Sequence, residues 1–287
     1  MTESSREHRD NVPKTETLPD RPKSIEKPEA GTRLSAAEIH DNILGPAENE
    51  MKRSAGSLLF SAFASGLTIG FSFLMGGYAQ TLVDERYAHF VMGAAYPLGF
   101  LYVVFARSEL FTENTLEPVI PLLHNRDLET FRKMVRLWGL LLVGNLIGAA
   151  IFARVMFHGP LITDPAFREK LLTIAVEATS DGFGLTFARA IMAGWLIALL
   201  TWLLASNQDS VAHVILIWVT TAPIAWFDFR HSIVGSVEAF YRVAAGSGAL
   251  LDVTGSFIIP ALIGNAIGGV VLVALLNYGQ VHHERAS

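Results

Sequence analysis

Six apolar stretches, near residues 57–83, 90–123, 135–157, 184–205, 211–241 and 255–278, constrain this chain more than any other feature it has. Each reaches the ~20 residues that a helix needs to cross about 30 Å of hydrocarbon. Only helices and closed barrels satisfy their own backbone in that medium. The expectation is an all-α integral membrane protein with six transmembrane helices. Charged residues make up 17% of the chain, but they crowd into the first 54 residues and a few short connections, so the average understates how apolar the remainder is.

Residues 1–54 mix Glu, Asp, Lys, Arg, Pro and Ser with few large apolar side chains, a composition that buries too little surface to offset its ordering entropy. The segment reads as a disordered or amphipathic cytoplasmic tail, with Ile39, Ile43, Leu44 and Met51 spaced for a short helix on the membrane surface. It shows no apolar core followed by a small-residue cleavage site, so the first span is expected to direct its own insertion. Lys52 and Arg53 precede that span, and Arg126, Arg132, Lys133 and Arg136 crowd the second connection. Against the sparser Arg86, Arg168, Lys170 and Arg242, this bias places both termini in the cytoplasm. The chain has no cysteine, which excludes disulfides, thiolate metal sites and thiol catalysis. No metal-ligand cluster, phosphate-binding loop or nucleophile constellation stands out, so neither an enzyme nor a cofactor nor a metal is expected. The net charge of −5 gives no support to nucleic-acid binding.

The spans resemble one another in threes. Ser65-Gly66-Leu67-Thr68 is echoed by Phe183-Gly184-Leu185-Thr186, and Gly144-Asn145-Leu146-Ile147-Gly148 by Gly264-Asn265-Ala266-Ile267-Gly268, at a shift of about 120 residues. Between them, Phe105–Glu117 and Phe227–Glu238 occupy equivalent places. Three helices per copy make the second copy enter the membrane from the other side. The reading is a 3+3 inverted repeat, residues 55–157 and 184–279, joined by a connecting segment, 158–183, and followed by a short cytoplasmic tail, 280–287. Transporters are built this way.

Two of the spans carry charge where a plain span would not. As one straight helix, Phe90 to Leu123 would run ~50 Å, far more than the bilayer core requires. It contains Arg107, Glu109, Glu113 and Glu117 beside Thr112 and Asn114; its counterpart contains Asp228, Arg230, His231, Ser232 and Glu238. Helices 2 and 5 are therefore expected to be broken by pore loops near the midplane, where ionisable groups mark function. His231 is the leading pathway candidate, because imidazole changes charge near neutral pH. It either donates a proton or hydrogen bond to a passing anion, or only caps broken backbone or pairs with a carboxylate such as Asp228 or Glu238. Arg107, Glu109, Glu113 and Arg230 either touch the solute or form an internal salt-bridge network that holds the loops. Glu117 and Glu238, at equivalent places, either join that network or brace the half-helices. Asn145 and Asn265, each in a Gly-Asn-x-x-Gly setting, read as structural, bonding to broken backbone.

Glu109-Leu110-Phe111-Thr112-Glu113-Asn114, Trp138 with Gly144-Asn145-Leu146-x-Gly148, and His231-Ser232-Ile233 resemble the formate/nitrite transporter family over residues 55–279. The Phe-Thr-Glu-Asn-Thr run at 111–115 and the Val-Gly-Ser-Val-Glu run at 234–238 are similar to its YfdC-like branch. The resemblance implies an aquaporin-like fold and a homopentamer in the lipid bilayer of a bacterial inner (plasma) membrane, with one pore per protomer. It implies passage of small monovalent anions such as formate, nitrite or hydrosulfide. The loop carrying Leu110, Phe111 and Thr112 would face the loop carrying His231 and Ser232, with apolar constrictions to either side. The anion would cross with a proton acquired at or near His231, which spares the cost of a bare charge in a dry passage. The chain departs from the family in having Arg107 where many members have a small residue and Arg230 where many have Glu. Gly235 and Gly194 stand where Asn is usual, no lysine follows Lys170, and Glu177 with Asp181 make one mouth acidic. Two other readings stay open: a pore of the same fold for a cation or neutral solute, and a closed pore acting as a membrane scaffold or sensor.

Overall fold

The computed structural model describes residues 33–286, with side chains to Glu284; the part of the expected tail before residue 33 lies outside them. Among the described residues every regular element is helical. Helix α1 (Ala36–Glu50) starts at a capping box: the Glu38 N–H donates to Ser35 Oγ at 3.2 Å, while the Glu38 carboxylate accepts from the Ser35 backbone N–H at 2.7 Å. Its apolar side is already covered. Ile39, Ile43 and Met51 are buried in one cluster with Leu116, Ile120 and Val281, so the face that the spacing assigns to a membrane surface is taken up by the protein itself.

The Ser35 backbone N–H, then its hydroxyl, hold the Glu38 carboxyl below its ordinary value. A depressed acid stabilises the fold above the ordinary carboxylate range and stops doing so as pH falls through the lowered value. Hydrogen-exchange protection in the first turn of α1 is therefore expected to fall as the pH drops beneath the ordinary carboxylate range, and Glu38→Gln should remove that dependence. Protection that stays flat with pH in the wild type would contradict this.

Helices α2 (Ala55–Thr68) and α3 (Gly70–Thr81) form one apolar span, and α4 (Glu85–Ala95) and α5 (Pro97–Ala106) a second. The short α6 (Val119–Asn125) leads into α7 (Leu128–His158), which starts at Asp127, whose carboxylate accepts from the Thr130 N–H at 2.9 Å. Helix α8 (Pro165–Ala178) precedes α9 (Phe183–Ala205), α10 (Ser210–Trp226) and α11 (Ser232–Ala244). The last span runs from α12 (Leu250–Val253) through a π-turn, α13 (Ile259–Gly269) and a second π-turn into α14 (Leu276–Ala286). Five of these stretches are long and apolar enough to cross a membrane; α10, with 17 residues, is a shorter apolar helix.

Two breaks interrupt this pattern where the charges fall. After α5 the chain turns at Arg107 with φ 52° and stays non-α-helical to Pro118, apart from a 3₁₀ turn at Glu113–Thr115. After α10 it turns at Asp228, also with φ 52°, and resumes as α11 at Ser232. Neither turn residue is a glycine: Arg107 is held in the left-handed region at about 1–2 kcal/mol against its own preference, whereas Asp228 has the short polar side chain that enters this region more readily.

One asparagine serves each break. Asn145 Oδ1 accepts from the Phe111 N–H at 2.8 Å, and its Nδ2 donates to the carbonyls of Glu109 at 2.9 Å and Ala62 at 2.8 Å. Asn265 does the same with the Ser232 N–H at 2.7 Å and the carbonyls of Arg230 at 2.9 Å and Ala190 at 2.7 Å. Glycines let the helices come this close. A Cβ at Gly66 would collide with the Asn145 backbone and one at Gly194 with the Asn265 backbone; Gly148 and Gly268 meet the carbonyls of Phe63 and Ile191 in the same way. These contacts correct the register read from the sequence. Gly66 corresponds to Gly194, not to Gly184, whose Cβ position is open space.

Candidate functional site

The two breaks meet at a single side-chain contact. His231 ends the second break and caps α11: its Nδ1 accepts from the Val234 N–H at 3.1 Å. A nitrogen that accepts carries no proton, so the neutral ring holds its proton on Nε2. Nε2 lies 2.8 Å from Thr112 Oγ1, in the first break. Both side chains are shut away, at 2% and 0% exposure. The Phe100 ring stands nearly perpendicular to the imidazole with centroids 5.0 Å apart, and Leu110 and Phe111 are buried in the same apolar cluster as Phe100. Phe111 also packs edge-on against Trp138, whose Nε1 donates to the Asn114 carbonyl at 2.8 Å. The Ser232 hydroxyl, next to His231, is buried without a hydrogen-bond partner among the described residues.

A cavity lies on each side of this contact, and the two share no lining residue. One, of about 400 Å³, is lined by His231, Asp228, Arg230 and Glu238 together with Asp181 and Arg189 near the start of α9. The other, of about 390 Å³, is lined by Arg107, Glu109, Glu113, Asn114 and Glu117 together with Thr201 and Ala205 near the end of α9. Since α9 has 23 residues and is about 34 Å long, the cavities sit toward opposite ends of a membrane-length helix. Leu110, Phe111, Thr112 and Ser232 line neither cavity and are buried.

The charges do not form one network across the breaks. Glu109 pairs with Arg53 at 2.8 Å, and Arg53 also pairs with Glu50 at 2.6 Å. The other Glu109 oxygen accepts from Asn114 Nδ2 at 3.0 Å. Arg230 and Arg189 both pair with Asp181. Arg107 is exposed at the cavity lip, while one Glu113 oxygen is buried without a hydrogen bond. Asp228, Glu117 and Glu238 form no ion pair among the described residues, although Glu117 and Glu238 each face a cavity.

Four contributors escaped the sequence reading. Phe100 is an ordinary apolar residue in an apolar run, and Arg53 and Glu50 precede the first span. Arg189 carried a usable signal, since a lone cation inside the 184–205 stretch marks function by default.

A sequence profile of the formate/nitrite transporter family matches residues 37–279. The chain is 32% identical over 282 residues to the inner membrane protein YfdC of Escherichia coli (strain K12), covering 98% of this chain and 90% of that one. Among solved structures, an FNT family ion channel superposes with a TM-score of 0.75 at 19% identity, covering 84% of this chain and 98% of the other. A pentameric formate channel with formate bound superposes with a TM-score of 0.66, also at 19% identity, covering 80% of this chain and 98% of the other. At that identity the superpositions establish a shared fold.

Proposed function

This chain belongs to the formate/nitrite transporter family, a family of transporters and channels, and we propose that it passes small monovalent anions of the formate and nitrite type across a bacterial inner membrane. One observation carries the reading: the Thr112–His231 contact stands between two cavities at opposite ends of α9. In this reading α10 completes a set of six crossings, arranged as a 3+3 inverted repeat with both termini cytoplasmic. The matching duties of Asn145 and Asn265 support that arrangement. The segments 107–118 and 227–231 are the pore loops, and the working unit is a homopentamer with one passage per protomer.

A solute leaving either cavity enters an apolar passage, where it loses hydration. The Nε2–H of His231 and the hydroxyl of Thr112 are the groups placed to replace it. Proton transfer from His231 itself would need a second ring proton at Nδ1, where the Val234 N–H already points. The imidazole therefore acts as a hydrogen-bond donor, and the proton travels with the anion as its conjugate acid, which avoids a bare charge in a dry constriction. The test is internal pH in liposomes holding the purified protein. Adding formate outside should acidify the lumen faster than in empty liposomes, whereas uptake with no excess acidification would remove the proton from the mechanism.

A specific observation keeps a second reading in view. Carboxylates outnumber guanidiniums around both cavities, a charge pattern that suits a cation or a neutral solute better than an anion. Potassium or water flux without formate flux would favour it.

A further inference from the structure

Asp181 and two arginines make a built arrangement at the mouth of the cavity that holds His231. Asp181 Oδ2 accepts from Arg189 Nη1 at 2.9 Å, from Arg230 Nε at 2.9 Å and from Arg230 Nη2 at 2.7 Å. Two guanidiniums thus share one carboxylate oxygen, and the trio is left with an excess of positive charge. Arg230 is 8% exposed, and the backbone of its residue is fixed by Asn265, so its guanidinium is not a freely waving surface group. Three donor nitrogens have no partner among the described residues: Arg189 Nε and Nη2, and Arg230 Nη1. All three residues line the cavity that leads to His231, and Arg230 is its neighbour in sequence.

Beside the opposite cavity an ion-paired trio has the reverse sign. One guanidinium, Arg53, pairs with two carboxylates, Glu50 and Glu109, of which Glu109 lines that cavity, so this trio is left negative. The remaining cavity carboxylates on the His231 side, Glu177, Asp228 and Glu238, form no ion pair with either arginine. The cavity as a whole carries more carboxylates than guanidiniums, and its guanidinium charge lies at the two forks.

We propose that Arg189 and Arg230, gathered on Asp181, form an admission site for a small planar monoanion of the carboxylate type, which the free guanidinium donors hold before it moves on to His231. The proposal rests on the anion reading above and names where the anion is first held. A guanidinium fork presents donors in the plane that a carboxylate accepts, and it keeps its charge at every working pH. Asp181 serves as a built-in competitor. It keeps the forks aligned when the site is empty and prevents the incoming anion from being held too tightly to leave.

Opposite signs test this. Broadening of the carbon-13 formate signal by purified, detergent-solubilised protein reports binding without requiring flux. Asp181→Asn should lower the half-saturating formate concentration about ten-fold, and Arg189→Gln should raise it about ten-fold, the factor expected from gaining or losing one charge-assisted hydrogen bond. Arg189→Lys, which keeps the charge and loses the fork, should fall between wild type and Arg189→Gln, and it decides the matter together with Arg189→Gln if Asp181→Asn does not fold. Equal affinities, parallel losses in Asp181→Asn and Arg189→Gln, or a wild type that carries formate without binding it here would overturn the proposal. A wild type that binds formate with the expected ranking but carries none would leave the site standing and remove the transport reading instead.

Discussion

Asn265→Ala is expected to leave little folded protein. The alanine would strand the Ser232 N–H without its acceptor and the Arg230 carbonyl without its donor, and would remove the second donor from the Ala190 carbonyl inside α9. Each stranded group costs about 1–3 kcal/mol, so the two together cost about 2–6 kcal/mol, a large share of the 5–15 kcal/mol that holds a typical domain together. Asn145→Ala should behave alike, because that residue makes the same three bonds to the other break. The yield of monodisperse protein and its thermal midpoint measure both effects. Melting within a few degrees of wild type for either variant would mean that the breaks are held by something other than these asparagines.

His231→Ala is expected to reduce formate flux about 10- to 100-fold in protein that still folds. Folding should survive because the lost helix cap costs about 1 kcal/mol, while conduction loses the one ring N–H that faces the passage. Thr112→Val keeps the shape and removes the hydroxyl; it should cost about ten-fold, and Thr112→Ser should cost little. Wild-type flux through folded His231→Ala would place the conducting path away from the Thr112–His231 contact.

Much of this architecture is legible in the sequence because the membrane imposes long apolar runs, and departures from them are conspicuous. The charged interruption at 107–117 falls at the first observed break, and Asp228, Arg230 and His231 fall at the second while Glu238 lies within α11; the Gly-Asn-x-x-Gly settings mark the asparagines that serve both breaks. Other features were hidden for physical reasons. The Ser65-Gly66-Leu67-Thr68 match slipped by ten residues against the contacts, because glycine recurs wherever helices approach closely and Gly184 mimics the duty that Gly194 performs. The pairing of Asp181 with Arg230 spans 49 residues and depends on how the connecting segment folds back, which no local periodicity encodes. The Asp181 carboxylate read as an acidic mouth; in place, it gathers two arginines. Helix α1 likewise shows its amphipathic spacing in sequence, but whether lipid or protein covers that face is settled only by tertiary packing.

The central claim, that a formate-type monoanion crosses this protein at the Thr112–His231 contact, is tested most directly by labelled formate uptake into liposomes holding purified wild type or His231→Ala, with potassium flux followed in the same preparations. The account predicts saturable formate uptake in the wild type that rises from about pH 8 to about pH 5, is largely lost in the variant, and has no potassium flux beside it. Potassium flux with formate uptake no greater than in empty liposomes would contradict it.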